Sequence, residues 1–216
     1  MKQNTKITVP SSSIQLEAEY YLPETQEITR PAVILCHPHP EYGGDMHNNV
    51  VSALFQDYKS RDIPVIRFNF RGTGNSTGTP AGGIGEIEDV KAVVHAFCNI
   101  TEHDFAFIAG YSFGAAVGGV AAAEMRTVIG YAAIAMPFDL FPEHARRMNC
   151  AKPKLFVQGT KDNVADYTRF KENAKKLSGP LQLVEIPGAD HFFTNQSPQA
   201  AKYAVDFYLS LEKKGI

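Results

Sequence analysis

Phe105-Ala106-Phe107-Ile108-Ala109-Gly110-Tyr111-Ser112-Phe113-Gly114-Ala115-Ala116 joins an apolar run to a chain of small residues that continues to Ala123. A G-x-S-x-G at such a junction reads as a serine on a sharp turn from a strand into a helix. The turn needs both glycines, because a side chain at either position would collide with the adjacent strand or helix. Ser112 is therefore the candidate nucleophile. Residues 105–123 carry no charge and place Gly110, Gly114 and Gly118 at G-x-x-x-G spacing, so a membrane span is the competing reading. Four glycines make a poor lipid-facing surface, and Asp104 and Glu124 close both ends, which favours the turn.

Outward from this turn, short apolar runs at residues 33–36, 65–70, 105–109, 128–135, 155–157 and 183–186 read as strands. Residues 50–58, 84–98, 115–125, 166–177 and 200–211 have helical spacing or composition. Their alternation predicts an α/β fold, with a mostly parallel sheet and helices on both faces. Residues 6–9 and 14–21 flank Pro10-Ser11-Ser12-Ser13 with partial alternation, which predicts an N-terminal antiparallel hairpin at one edge. The connection over residues 137–153 is too short for a large lid. An open site selective for short acyl groups is expected, with room for a small helix near residues 138–148.

The 216 residues, 44% of them hydrophobic, suit one domain spanning 1–216. The 21 basic and 23 acidic residues nearly cancel and form no long run, so neither nucleic acid nor a membrane surface is an expected partner. Cys36, Cys98 and Cys150 are widely spaced and form no C-x-x-C pair. The start Met1-Lys2-Gln3-Asn4-Thr5 has no hydrophobic signal region, and a reducing cytoplasm is the expected location.

A serine hydroxyl attacks only when a base takes its proton and a third group fixes that base. His191 is the best-placed base, because Pro187-Gly188-Ala189-Asp190-His191 is a loop after the last strand. His95 and His144 fall in helical patterns and His103 in a connection, where packing roles are expected. Three acids compete: Asp162 after the strand at 155–157, Asp139 after the strand ending at 135, and Asp190 beside the base. Asp162 leads, since a sequence neighbour points away from His191 and the order Ser112, Asp162, His191 suits this type of turn. The developing oxyanion needs two donors, one being the Phe113 N–H. In Leu35-Cys36-His37-Pro38-His39-Pro40 the prolines lack an N–H, which leaves His39 as the second donor.

Three other patterns invite chemistry. His37-x-His39 could ligate a metal, but the prolines and the lack of a nearby third ligand argue against it. Arg71-Gly72-Thr73-Gly74-Asn75-Ser76-Thr77-Gly78 is spaced G-x-G-x-x-x-G, and its helix begins only near Gly83, so a structural loop is favoured over a dinucleotide site. Glu86, Glu88 and Asp89 suit the first turn of a helix better than paired catalysis. No cofactor and no metal are expected.

His37-Pro38-His39-Pro40 with Gly43-Gly44, Arg67-Phe68-Asn69-Phe70-Arg71-Gly72, the turn at Ser112, Gly159 to Asp162, and Asp190-His191 together resemble the alpha/beta-hydrolases. From Pro31 onward the chain is similar to the small bacterial branch grouped with dienelactone-hydrolase-like proteins. The resemblance implies a serine hydrolase acting on esters or thioesters by an acyl-enzyme route, with Ser112 as nucleophile, His191 as base and Asp162 as its orienting acid. Dienelactone hydrolases proper use cysteine where this chain has Ser112, which argues against lactone substrates. Carboxylic esters are the leading substrate class and acyl-thioesters the alternative. A non-catalytic ligand-binding protein on the same fold is the third reading.

Overall fold

In β3 (Ala32–Cys36), β5 (Ala106–Tyr111), β6 (Val128–Ile134) and β7 (Lys154–Gly159) every residue is buried, so these strands read as unbroken apolar runs instead of alternation. They form the centre of an eight-stranded sheet in a computed structural model that describes residues 2–8, 12–24 and 29–212. β1 (Lys2–Thr8), β2 (Gln15–Tyr21), β4 (Val65–Phe68) and β8 (Leu181–Ile186) complete it in the order β1-β2-β4-β3-β5-β6-β7-β8. Strands β3 to β8 run parallel. The hairpin of β1 and β2 is antiparallel and joins the edge through β2 and β4. Part of the turn expected at residues 10–13 lies outside the described residues, as does Val9.

One face of the sheet is covered by α1 (Asn49–Ser60) and α6 (Ser197–Glu212), whose apolar stripes meet Val33, Val65 and Val157. Between these helices the rings of Tyr58 and Tyr208 pack edge-on at 5.7 Å. On the other face lie α2 (Ile84–Thr101), α3 (Phe113–Glu124) and the short α4 (Pro142–Arg147), with Phe170 and Ala174 of α5 (Tyr167–Ala174) in the same cluster. Ten residues of α3, from Phe113 to Ala122, are buried. Small side chains let this helix lie against the sheet while other helices cover it, so it lacks a polar face.

The span from 105 to 123 is not continuous: the backbone breaks at Ser112 between β5 and α3. Among the described residues no helix is long and apolar enough to cross a membrane. Element ends differ from the sequence pattern for identifiable reasons. β4 stops at Phe68 because the Phe70 and Arg71 N–H groups turn to side-chain acceptors, His37 Nε2 and an Asp89 oxygen. β7 extends back to Lys154, a buried lysine whose ammonium donates to the carbonyls of Cys150 and Ser178. α5 starts after Asp166, whose carboxylate accepts from the Arg169 N–H, and closes with tighter turns through Lys176 and Leu177.

Candidate active site

Parallel pairing brings the carboxyl ends of the strands to one edge, where Cys36 lies opposite Gly110 and Gly159 opposite Ile186. Ligand sites of open α/β sheets form at that edge. Ser112 stands there with φ 54° and ψ −116°, a conformation that costs a non-glycine residue about 1–3 kcal/mol. The flanking glycines permit it. A Cβ on Gly110 would come within 2.2 Å of the Gly114 carbonyl oxygen, and one on Gly114 within 2.3 Å of the Cys36 carbonyl oxygen. The turn is thus pressed against the helix on one side and the end of β3 on the other.

Ser112 Oγ lies 3.0 Å from His191 Nε2, and His191 Nδ1 lies 2.8 Å from Asp162 Oδ2. A carboxylate only accepts, so Nδ1 carries the proton and Nε2 is left to accept from the Ser112 hydroxyl. All three side chains are buried, Asp162 most deeply. Its Oδ1 accepts from the N–H groups of Val164 and Ala165, while Oδ2 also accepts from Gln158 Nε2. The His191 loop is held from two sides: Tyr111 Oη donates to the His191 carbonyl and Asn49 Nδ2 to that of Phe192. The other acids point elsewhere. Asp139 is exposed near Arg169 and Asn173, and Asp190 accepts from Thr194.

Phe113 is the first residue of α3, where N–H groups lack intrahelical acceptors. His39 lies between its two prolines at the mouth of the same cavity. Among the described residues neither N–H meets a protein acceptor. The two histidines of the β3 loop have separate fates. His37 donates through Nδ1 to the Pro38 carbonyl and accepts at Nε2 from Phe70, so both ring nitrogens are spent on backbone. Burial lowers its pKa to about 4 and keeps it neutral. The His39 ring accepts from the Glu41 N–H and packs on Phe113 at 4.7 Å. No group of three or more metal-ligating side chains occurs among the described residues.

The glycine-rich loop after β4 is filled by the protein itself. Glu17 accepts from the Asn75 N–H, the Asn75 amide and the Asn69 amide. Asp89 clasps the Arg71 guanidinium. Glu86 caps α2 by accepting from Ala81 and Gly83, while Glu88 pairs with Lys91 at the surface. His144 is buried and its Nε2 donates to the Gly83 carbonyl.

A cavity of about 610 Å³ opens over Ser112 and His191. Several of the residues that shape the site carried no separate signal in the sequence. Gln158 was hidden as one polar residue at the end of an apolar strand, and Tyr111 within the G-x-S-x-G itself. Tyr42, Leu140, Phe141 and Phe192 reach the cavity from three different loops, a convergence that no local pattern encodes.

A family model described as an alpha/beta hydrolase domain matches residues 29–204. An alpha-beta serine hydrolase homologue from Coxiella burnetii is 33% identical, with 94% of this chain and 96% of that chain covered at a TM-score of 0.84. A serine hydrolase without a lid, from Xanthomonas campestris, is 30% identical, with 95% and 94% covered at a TM-score of 0.80. An uncharacterised protein of Rickettsia prowazekii is 27% identical over 190 residues, 84% of this chain and 80% of that protein. These likenesses support hydrolase chemistry, and the extent of the match establishes that the chain belongs to the alpha/beta-hydrolase family.

Proposed function

We propose that this chain is a serine hydrolase that cleaves carboxylic esters through an acyl-enzyme. The observation that carries the reading is the hydrogen-bonded line from Ser112 through His191 to Asp162, with contacts of 3.0 and 2.8 Å. Ser112 Oγ attacks the ester carbonyl carbon as its proton passes to His191 Nε2. The carbonyl oxygen, now an anion, faces the N–H groups of Phe113 and His39. Collapse breaks the bond to the alcohol oxygen, which leaves with the proton from His191. Water then attacks the acyl-serine, His191 takes its proton, and the acid departs as Ser112 recovers its hydrogen. Asp162 holds His191 in the required tautomer and stabilises the imidazolium between steps.

A thioesterase would use the same parts. Charged carriers such as acyl-coenzyme A call for cations near the mouth, and among the described residues no Lys or Arg lines the cavity, which favours neutral esters. The cysteines are free, Cys36 buried and Cys98 and Cys150 partly so.

A fluorophosphonate probe should label the wild-type protein at Ser112 and leave Ser112→Ala unlabelled. Ester turnover should fall in that variant by up to roughly a millionfold, because the three groups act as a unit. Labelling that survives the substitution would falsify the assignment.

A further inference from the structure

We propose that the cavity takes uncharged esters whose acyl half carries a planar ring, an inference that rests on the esterase reading above. Of the seven large apolar side chains exposed among the described residues, four stand at this one mouth: Tyr42, Leu140, Val164 and Phe192. Tyr42 is 89% exposed, and Leu140 and Phe192 are each 62% exposed. Scattered apolar side chains are ordinary on a surface, but a cluster around one opening marks a contact surface. Among the described residues no Asp, Glu, Lys or Arg lines the cavity, so a charged group entering it would lose water without gaining a partner.

The chemistry assigns the two halves of the ester to different walls. His191 Nε2 must reach the departing oxygen, so the alcohol leaves on the side of His191 and Phe192, whose rings lie 5.7 Å apart. The carbonyl oxygen turns toward the N–H groups of Phe113 and His39. The acyl half is then left against the rings of Phe141, His39 and Tyr42, with the buried Phe113 ring packed behind them. These rings already adopt the geometry in which aromatic groups attract. Phe113 lies 5.5 Å from Phe141 edge-on, and His39 lies 4.7 Å from Phe113 and 4.9 Å from Tyr42. A planar acyl group adds one more ring to that set, whereas a flexible alkyl chain must be ordered to fill the same space.

The wall is also held in place. Phe141 precedes α4, and its carbonyl accepts from the Ala145 N–H while its own N–H donates to Pro137. The edge of the Phe141 ring meets His144 at 5.5 Å, and His144 is tied to the Gly83 carbonyl ahead of α2. A cavity of about 610 Å³ falls in the range of roughly 300–1,000 Å³ that suits ligands far larger than an acetyl ester. The short-acyl preference expected from the absence of a large lid is extended by this proposal to a compact aromatic acyl group.

The test uses the purified full chain with methyl esters, so that the leaving group stays constant. kcat/KM for phenylpropanoate should exceed that for hexanoate by about tenfold or more, within the range that apolar pockets reach. A carboxylate at the para position of the ring should remove at least that advantage. In Phe141→Leu, Phe141→Ala and Tyr42→Ala, with folding checked by circular dichroism, the ratio of phenylpropanoate to hexanoate should fall progressively toward one. Equal or better turnover of hexanoate in a wild type whose Ser112 is labelled by fluorophosphonate overturns the ring preference and leaves the esterase reading standing. A ratio unchanged in folded Phe141→Ala and Tyr42→Ala overturns the assignment of the wall, and full turnover of the para-carboxylated ester overturns the requirement for neutrality. Absence of both labelling and ester turnover overturns the esterase reading and this inference together.

Discussion

Asp89 and Asp162 are both buried carboxylates holding a nitrogenous side chain at the same edge of the sheet, yet the two pairs are built for different ends. Asp89 takes the Arg71 Nε and Nη2 groups and the Arg71 backbone N–H. Each of these contacts closes within the pair, so the arrangement braces the loop after β4 against α2. Asp162 takes one imidazole nitrogen of His191, and the far nitrogen is left to meet Ser112. A guanidinium stays charged at any working pH, whereas an imidazole can accept and release a proton. A buried carboxylate paired with a basic side chain thus serves as a brace or, on the proposed mechanism, as part of a proton path, according to whether that side chain has a second end facing a reactive group.

The largest effect that tests this contrast is Asp162→Asn. The amide keeps the shape but favours the wrong tautomer, and kcat should fall by on the order of ten-thousandfold. Asp139→Asn and Asp190→Asn, measured alongside, should stay within a few fold because neither carboxylate meets the His191 ring. A crippled Asp139→Asn with a mild Asp162→Asn would move the acid to the earlier loop.

Asp89→Asn should show the reverse signature. The nearly buried Arg71 charge loses its counterion, and unfolding free energy should drop by about 3 kcal/mol in urea melts. The folded fraction should retain kcat within a few fold. A loss of turnover comparable to that of Asp162→Asn, in protein that is fully folded, would break the distinction.

His37 extends the comparison to a histidine with no free end. Its pKa is lowered to about 4 by burial, while an unfolded histidine titrates near 6.5. Between these values the unfolded chain binds a proton that the folded chain refuses, so stability is retained above the unfolded value and lost as pH falls toward 4. Chemical denaturation at pH 7 and pH 4.5 should show this residue costing about 2–3 kcal/mol at the lower pH. His37→Asn should be less stable at pH 7 and should lose correspondingly less on acidification. An unchanged pH difference in the variant would remove His37 from this role.

The smallest effect is expected at Gln158, which donates to Asp162 Oδ2 and to the Ala165 carbonyl while its own buried Oε1 meets no partner among the described residues. Gln158→Met keeps the length and removes the donor. kcat/KM should fall by roughly tenfold, the worth of one hydrogen bond to a charged group. Gln158→Glu, which keeps the length but sets a second carboxylate beside Asp162, should cost more than Gln158→Met. Turnover unchanged in folded Gln158→Met would mean that Gln158 only packs.

Legibility followed how far each residue's task could be read from its neighbours. The strand, Ser112 and the small-residue helix announced the turn because steric demand at Gly110 and Gly114 is local. The loop acids and bases could be ranked, since chain order and post-strand position limit which side chains reach the edge of the sheet. Lys154 could not be placed, because a charge in an apolar strand becomes tolerable only when two carbonyls from separate loops converge on it. The separation of His37 from His39 was equally out of reach, since both flank the same proline and only the approach of Phe70, just after β4, decides between them.

By itself the sequence determined the alternation of strand and helix, the order of Ser112, Asp162 and His191, and the small side chains that let α3 press against the sheet. These follow from period, propensity and sterics within short stretches. Only the tertiary structure decided which acid meets His191, which carboxylates fill the glycine-rich loop, and how Tyr42, Phe113, Leu140, Phe141 and Phe192 gather around one cavity. Those outcomes depend on parallel pairing that draws the ends of distant strands to a single edge, and distances between such ends are set by packing and not by the spacing of residues along the chain.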